Sequence, residues 1–419
     1  MTAANPSEEV LAHAAADAVA RRSYGKLVAL LAARTRDLTA AEDALSEAFT
    51  SALRDWPRSG VPENPEGWLL TVARRKSIDS VRRLHGETGG EEIEQAADPF
   101  AHATDGEALP DRRLGLMFAC AHPAIDSGIR SPLMLQVILG LDAATIAAAF
   151  LISPATMGKR LVRAKEKIRQ AGIPFTIPER EELAPRLDAV LEAIYAAFAE
   201  GWSDPGGTDA ARRDLTEEAF FLAALVAELL PGEAEALGLL ALMLHTEARR
   251  QARRSPAGEY IPLADQNSDL WNQPMIDHAE NLLLRASTLG RFGRYQLEAA
   301  IQSAHVRRCR TGESNWDAIL HLYDELLALT ASPVVAINRA LALAEVEGVE
   351  SGLAAMPDAA CDARLLQYQP YWAARAELLS RYAKAEEARH AWEIAIGLER
   401  DPAVREFLQQ RLKAEEKSR

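Results

Sequence analysis

The chain has 419 residues, of which 48% are hydrophobic, 26% charged and 6% aromatic, and its net charge is −14. That length implies roughly two to four domains with room for full-sized cores, and the composition excludes wholesale disorder. Three cysteines, Cys120, Cys309 and Cys361, lie far apart in the sequence, which excludes a disulfide framework and fits a reducing compartment.

Ala, Leu, Glu and Arg dominate and β-branched runs are scarce, so the expected fold class is all-α. The first residues carry Glu8 and Glu9 and no basic segment, so no secretory signal is expected. The apolar stretches 133–152 and 219–230 are interrupted by Gln136 and Asp142 or too short. Neither reads as a membrane span, and a cytoplasmic protein is expected. The charge is unevenly spread. Residues 1–85 sum to +1, 86–111 to −8, 112–178 to +6 and 179–419 to −13. A basic island thus hides inside an acidic chain, where it could meet a polyanion.

Residues 1–85 read as about three or four helices. One opens at Asp37, and its apolar stripe is Ala44, Leu45, Ala48, Phe49, Ala52 and Leu53. Glu42, Asp43 and Glu47 form an acidic start off that stripe, suited either to solvation or to a basic partner surface. Pro57, Gly60, Pro62 and Pro65 make a break. A second helix is predicted from about Glu66 to Leu84. It carries Trp68, Thr71 and five basic residues, Arg74, Arg75, Lys76, Arg82 and Arg83. Cations beside an aromatic suit separated strands, where a base stacks and phosphates need countercharge. Taken alone, this segment reads equally well as a helix with a core tryptophan. Residues 86–110 are Gly-rich and acidic, and read as a flexible linker.

A compact helical unit is predicted from Asp111 to Gly172, closed by Pro174 and Pro178. Within it a short apolar helix ends near Phe150, and a tight turn leads to Ser153, an apt N-cap, and Pro154, an apt first helical residue. On the next helix Met157, Leu161, Ala164 and Ile168 share an inward face. Ala155, Thr156, Lys159 and Arg163 point the other way, with Arg160 and Lys167 at the flanks. Residues 153–170 hold six basic groups and one acidic. The pattern is that of a helix-turn-helix presenting small, polar and basic side chains to a major groove. Its Lys and Arg would neutralise phosphates, while Thr156 and Lys159 are placed for base edges.

From Glu179 the helices continue with short breaks. Near the end, Trp372, Ala376 and Leu379 share one face, and Ala388, Trp392 and Ala395 share the next, across a turn at residues 382–385. This is the packing logic of a tetratricopeptide helix pair, with Arg375 departing from it.

The order of these segments resembles the sigma-70 family of bacterial RNA polymerase factors, extracytoplasmic-function type. An acidic-faced helix is followed by the Trp68 to Arg83 helix, an acidic linker and a helix-turn-helix. Further stretches resemble the subgroup with a long helical extension: residues 118–124, 171–175, 237–244, 294–301 and 332–340, and Asp265-Gln266 followed by Leu270-Trp271. The resemblance implies four parts. Residues 1–85 would be region two, 86–110 a linker, 111–178 region four and 179–419 a tetratricopeptide-like regulatory extension. It implies that Asp37, Glu42, Asp43 and Glu47 meet core RNA polymerase. Trp68, Thr71, Arg74, Arg75, Lys76, Arg82 and Arg83 would hold the minus-ten promoter element. Ser153, Ala155, Thr156, Lys159, Arg160, Arg163 and Lys167 would read the minus-thirty-five element. Activity would be controlled by or dependent on the extension, which would either contact polymerase or region two, or gate the DNA-binding modules through an intracellular signal or an intramolecular or protein partner. In the subgroup a second cysteine stands where this chain has Ala121, which argues against metal or redox work by Cys120 and His122.

There is no phosphate-binding glycine loop, no zinc-protease motif and no nucleophile elbow. The histidines are scattered. No catalytic residue, cofactor or metal is expected. The competing reading is a helix-turn-helix regulator with a helical sensor domain that never touches polymerase.

Overall fold

The computed structural model describes residues 6–85, 112–150, 152–202 and 210–417. Among these residues it is helical, with one isolated antiparallel bridge between Arg254 and Tyr260. The acidic stretch 86–110, expected to be a linker, lies outside the described residues. Among the described residues no helix is long and apolar enough to cross a membrane. The chain divides into two compact units, residues 1–222 and 223–419.

The first unit begins with α1 (Pro6–Thr35), α2 (Leu38–Ser59) and α3 (Pro65–His85). Asp37 starts α2 by accepting the Ala40 N–H at 3.0 Å, which satisfies one of the amides that a helix leaves open at its first turn. Leu38, Ala41, Ala44, Leu45, Ala48 and Ala52 are buried. Phe49 is half-buried and Leu53 is 39% exposed, so the buried stripe is narrower than its spacing suggests. The helix also runs through Pro57 and stops only at Gly60, at φ +83°. A proline ring crowds the carbonyl four residues earlier, which costs least in a last turn. The α3 helix starts with Pro65, and Asn64 Oδ1 accepts the Gly67 N–H at 2.9 Å.

Then come α4 (Arg113–Cys120), α5 (Ser127–Leu139), α6 (Ala143–Ala149), α7 (Pro154–Ala171) and α8 (Arg180–Trp202). Gly25 of α1 lies against the end of α5; a Cβ there would fall 1.9 Å from the Ile138 carbonyl oxygen. Only glycine allows that approach. The α8 helix covers α4 and α5: Arg186 donates to the Phe118 carbonyl at 3.5 Å, and Ser131 Oγ donates to Glu192 at 2.9 Å. It buries Leu187, Val190, Leu191, Ile194 and Phe198, each worth about 1.5–3 kcal/mol when removed from water. On α9 (Ala210–Leu229), Glu218 pairs with Arg113, whose guanidinium also sits 4.7 Å from the Phe221 ring centroid.

In the second unit α10 (Ala234–Glu247) is buried nearly all round, against α11 (Gln273–Ser287) and α12 (Arg294–Thr311). Its Glu235 carboxylate accepts the N–H groups of Tyr295 and Gln296, at 2.9 and 3.1 Å, an anion at a helix N-terminus. Next come α13 (Trp316–Thr330), α14 (Pro333–Val346), α15 (Val349–Ala355), α16 (Gln369–Arg381), α17 (Ala385–Leu398) and α18 (Pro402–Lys417). They pack in sequence. The α16 helix gives Tyr371, Ala374 and Leu378 to a core with α14 and α15, and Ala376 and Leu379 to a core with Trp392 of α17 and Leu408 of α18. Ala383, at φ +60°, turns the chain between α16 and α17.

Candidate nucleic-acid interface

Ser153 is extended, and its Oγ accepts the Thr156 N–H at 3.3 Å while contacting Thr156 Oγ1 at 2.8 Å. With Pro154 at the first helical position, α7 starts at one defined residue. Its partner α6 is started the same way by Asp142, which accepts the N–H groups of Ala144 and Thr145 and the Thr145 hydroxyl. The turn is closed by Ile152 N–H donating to the Ala147 carbonyl at 3.0 Å. On α7, Met157, Leu161, Ala164 and Ile168 are buried. Ser153, Ala155, Thr156, Lys159, Arg160, Arg163 and Lys167 are exposed. Thr156 Oγ1 accepts from the Ser153 hydroxyl, so its own O–H and its methyl are what it offers outward.

Lys165 behaves differently from the other cations of α7. Its Nζ lies 2.8 and 2.7 Å from the two oxygens of Glu42 on α2, with side chains 14% and 15% exposed. Burial holds the Glu42 carboxyl above its ordinary range, against the pull of Lys165. Burial first, then Glu42 and Asp43, pushes the Tyr24 phenol up as well. The nearby Cys120 thiol is fully buried and pushed up to about 12, so it holds no reactive thiolate at neutral pH. His122 accepts the Ala124 N–H on Nδ1 at 3.1 Å. Among the described residues no group of His, Cys, Asp or Glu is placed to hold a metal ion.

The four acids assigned to polymerase therefore have four different surroundings. Asp37 caps α2, Glu42 pairs with Lys165, and Glu47 lies 3.5 Å from Lys76 of α3. Asp43 is exposed.

On α3, Trp68 is half-buried and meets Trp56 edge-on, with centroids 5.5 Å apart and planes at 63°. Its outer side borders a groove of about 570 Å³, shared with Pro62, Asn64, Gly67, Thr71, Val72 and Arg75. Thr71 donates to the Gly67 carbonyl at 2.8 Å, leaving its oxygen to accept from the groove. Arg75 is exposed, and Arg74 and Lys76 are half-buried. Arg82 and Arg83 lie on the end of α3, and their side chains lie outside the described residues. Trp68, Thr71 and Arg75 are thus brought together. The Glu42–Lys165 pair spans 123 residues, and no local pattern could have signalled it.

Comparisons with known proteins agree with parts of this picture. Residues 19–86 match sigma-70 region 2, and residues 186–287 match a family of unknown function (DUF6596). The chain is 38% identical over 383 residues to the uncharacterized protein R00370 of Rhizobium meliloti, covering 90% of each chain. It is 31% identical over 176 residues to a probable RNA polymerase sigma factor, RfaY, of Xanthomonas campestris pv. campestris, covering 38% of this chain and 42% of that protein. No solved structure matches. The chain belongs to the same family as the Rhizobium meliloti protein, and its residues 19–86 carry a segment that matches sigma-70 region 2.

Proposed function

We propose that the protein is a cytoplasmic, dissociable sigma factor of the extracytoplasmic-function type, which binds core RNA polymerase and directs initiation at specific promoters. The observation that carries this reading is α7. Its Ser153 cap and buried Met157, Leu161, Ala164 and Ile168 turn Lys159, Arg160, Arg163 and Lys167 outward in the same compact unit as region 2. In this reading residues 111–178 are region four, and α7 enters the major groove of the minus-thirty-five element. The groove beside Trp68, Thr71 and Arg75 takes an unstacked base of the minus-ten element, with the remaining α3 cations on its phosphates. Asp43 and its neighbours on α2 face polymerase. Residues 86–110 are the tether.

Residues 179–419 are a tetratricopeptide-like extension on which activity depends. The close cover that α8 gives α4 and α5 favours dependence over a detachable inhibitor. The test is transcription reconstituted from core polymerase, the full chain and fragmented genomic DNA, with mapped RNA 5′ ends. Discrete starts sharing two spaced upstream elements, seen only with the protein, are the expected outcome. Binding to duplex DNA with no affinity for core and no new starts would instead identify a regulator with a helical sensor domain.

A further inference from the structure

Most of the buried side-chain polar atoms that lack a hydrogen-bond partner, among the described residues, fall between residues 245 and 315. They are both ring nitrogens of His245, Nδ1 of His305, Nε of Arg308 and the indole N–H of Trp271, together with three acceptors, Oε2 of Glu247, Oε1 of Gln266 and Oδ1 of Asn315. Native interiors pair nearly all such atoms, so each exception calls for an explanation, a bound ion or polar ligand among them. The segment lies where α10 ends and a loop folds back beside α12, with Ala252, Trp271 and Val306 in one apolar core.

Charge in this region is unbalanced in one direction. Arg249 donates from Nη2 to the neutral amide oxygen of Gln302 at 2.6 Å and from Nε to the His245 carbonyl at 3.3 Å. Burial, and then Arg253, bring its guanidinium down to about 10. The Arg308 guanidinium lies 4.6 Å from the Trp316 centroid, and the His305 ring meets the same indole edge-on at 5.7 Å. The acids close by face other groups: Glu247 takes Arg250 through Oε1 at 2.7 Å and leaves Oε2 without a partner, Glu280 takes Ser303 at 2.6 Å, and Asp401 takes Arg254. Glu280 also lies 3.4 Å from His245 Nε2, but burial and Arg249 favour the neutral imidazole. Among the described residues no carboxylate is within ion-pair distance of Arg249 or Arg308.

We propose that Arg249 and Arg308, flanked by His245 and His305, form a binding site for a small ligand bearing a phosphate or carboxylate group. A half-buried guanidinium without an acid is poorly compensated, and an oxyanion supplies countercharge and two parallel acceptors together. Neutral imidazoles supply N–H donors without adding charge, and Trp316 offers a flat apolar wall. The site lies outside region 2 and outside α7, so it stands whether or not the sigma reading does.

The experiment uses the full chain at neutral pH. Thermal unfolding and calorimetric titration are run in sodium phosphate, in sodium citrate and in sodium chloride at matched ionic strength. One oxyanion raises the melting temperature above chloride and titrates saturably. The phosphate and citrate arms tell the two ligand chemistries apart. Arg249→Gln and Arg308→Gln each weaken that binding by roughly ten-fold or more. Arg249→Gln leaves the melting temperature in chloride unchanged or higher, because it removes a poorly compensated, half-buried charge; a merely structural arginine would lower it. Arg308→Lys keeps the charge and part of the binding. A double change of Lys159→Ala and Arg163→Ala leaves binding intact, which separates it from adsorption on α7. No oxyanion-specific effect, an effect that survives both glutamine variants, or one lost with the α7 variant would overturn the proposal.

Discussion

Two basic stretches of this chain contrast in their surroundings. On α7, Lys159, Arg160, Arg163 and Lys167 are exposed, and the helix buries only its apolar face. Between residues 249 and 254, four arginines are half-buried in the second unit, where Arg250 meets Glu247, Arg254 meets Asp401 and Arg249 donates to the neutral amide of Gln302. Exposed cations keep their water until a polyanion arrives, and their effect is additive and salt-dependent. Half-buried cations have already lost part of their water, so a specific partner matters more to each and its absence imposes a stability cost. The same residue types thus support a general electrostatic surface in one place and a selective site in the other.

Lys165 breaks the contrast most sharply, because it sits on α7 but is half-buried against Glu42. Lys165→Met strands that carboxylate and is expected to cost about 3–5 kcal/mol, read by urea unfolding. Adding Glu42→Gln in the same chain should recover most of the loss. If the single variant unfolds like wild type, the two helices are not held together by this pair.

The buried side of the contrast predicts a pH dependence. Burial brings His245 and His305 down from 6.5 to about 4, so the unfolded chain takes up their protons first. Their contribution is complete above pH 6.5 and is lost as pH falls toward 4, by up to about 3 kcal/mol each. Melting temperatures measured from pH 7.5 down to 4.5 should decline, and His245→Leu should flatten the slope. Equal slopes in the two proteins would mean that His245 is not held neutral.

The exposed side predicts the reverse pattern. Lys159→Ala with Arg163→Ala should leave the melting temperature unchanged. It should weaken promoter binding by about 1–3 kcal/mol per base-edge contact and reduce the salt slope if phosphates are lost. Unaltered footprints would remove α7 from the interface. The smallest effect is Ser153→Ala, about 1 kcal/mol through the lost cap; denaturant midpoints would show whether α7 frays.

The helices and most of their inward faces were legible in the sequence. Met157, Leu161, Ala164 and Ile168 follow from a 3.6-residue period, and Ser153 with Pro154 follows from the open amides of a helix start. The same logic failed at Leu53, which the period places inward but the structure leaves 39% exposed. There the limit lies in what the rest of the fold can cover.

All-helical architecture, the capped start of α7 and the separation of basic from acidic segments are consequences of local chemistry, and the sequence alone determined them. Only the tertiary structure decided which cations remain outside. Lys165 and Lys167 differ little in sequence, yet one meets Glu42, 123 residues away, and the other meets water. Arg249 reads as one more surface arginine until α12 brings Gln302 and His305 against it. Helix period and caps act over a turn or two, whereas the fate of a charge depends on whichever distant helix packs over it.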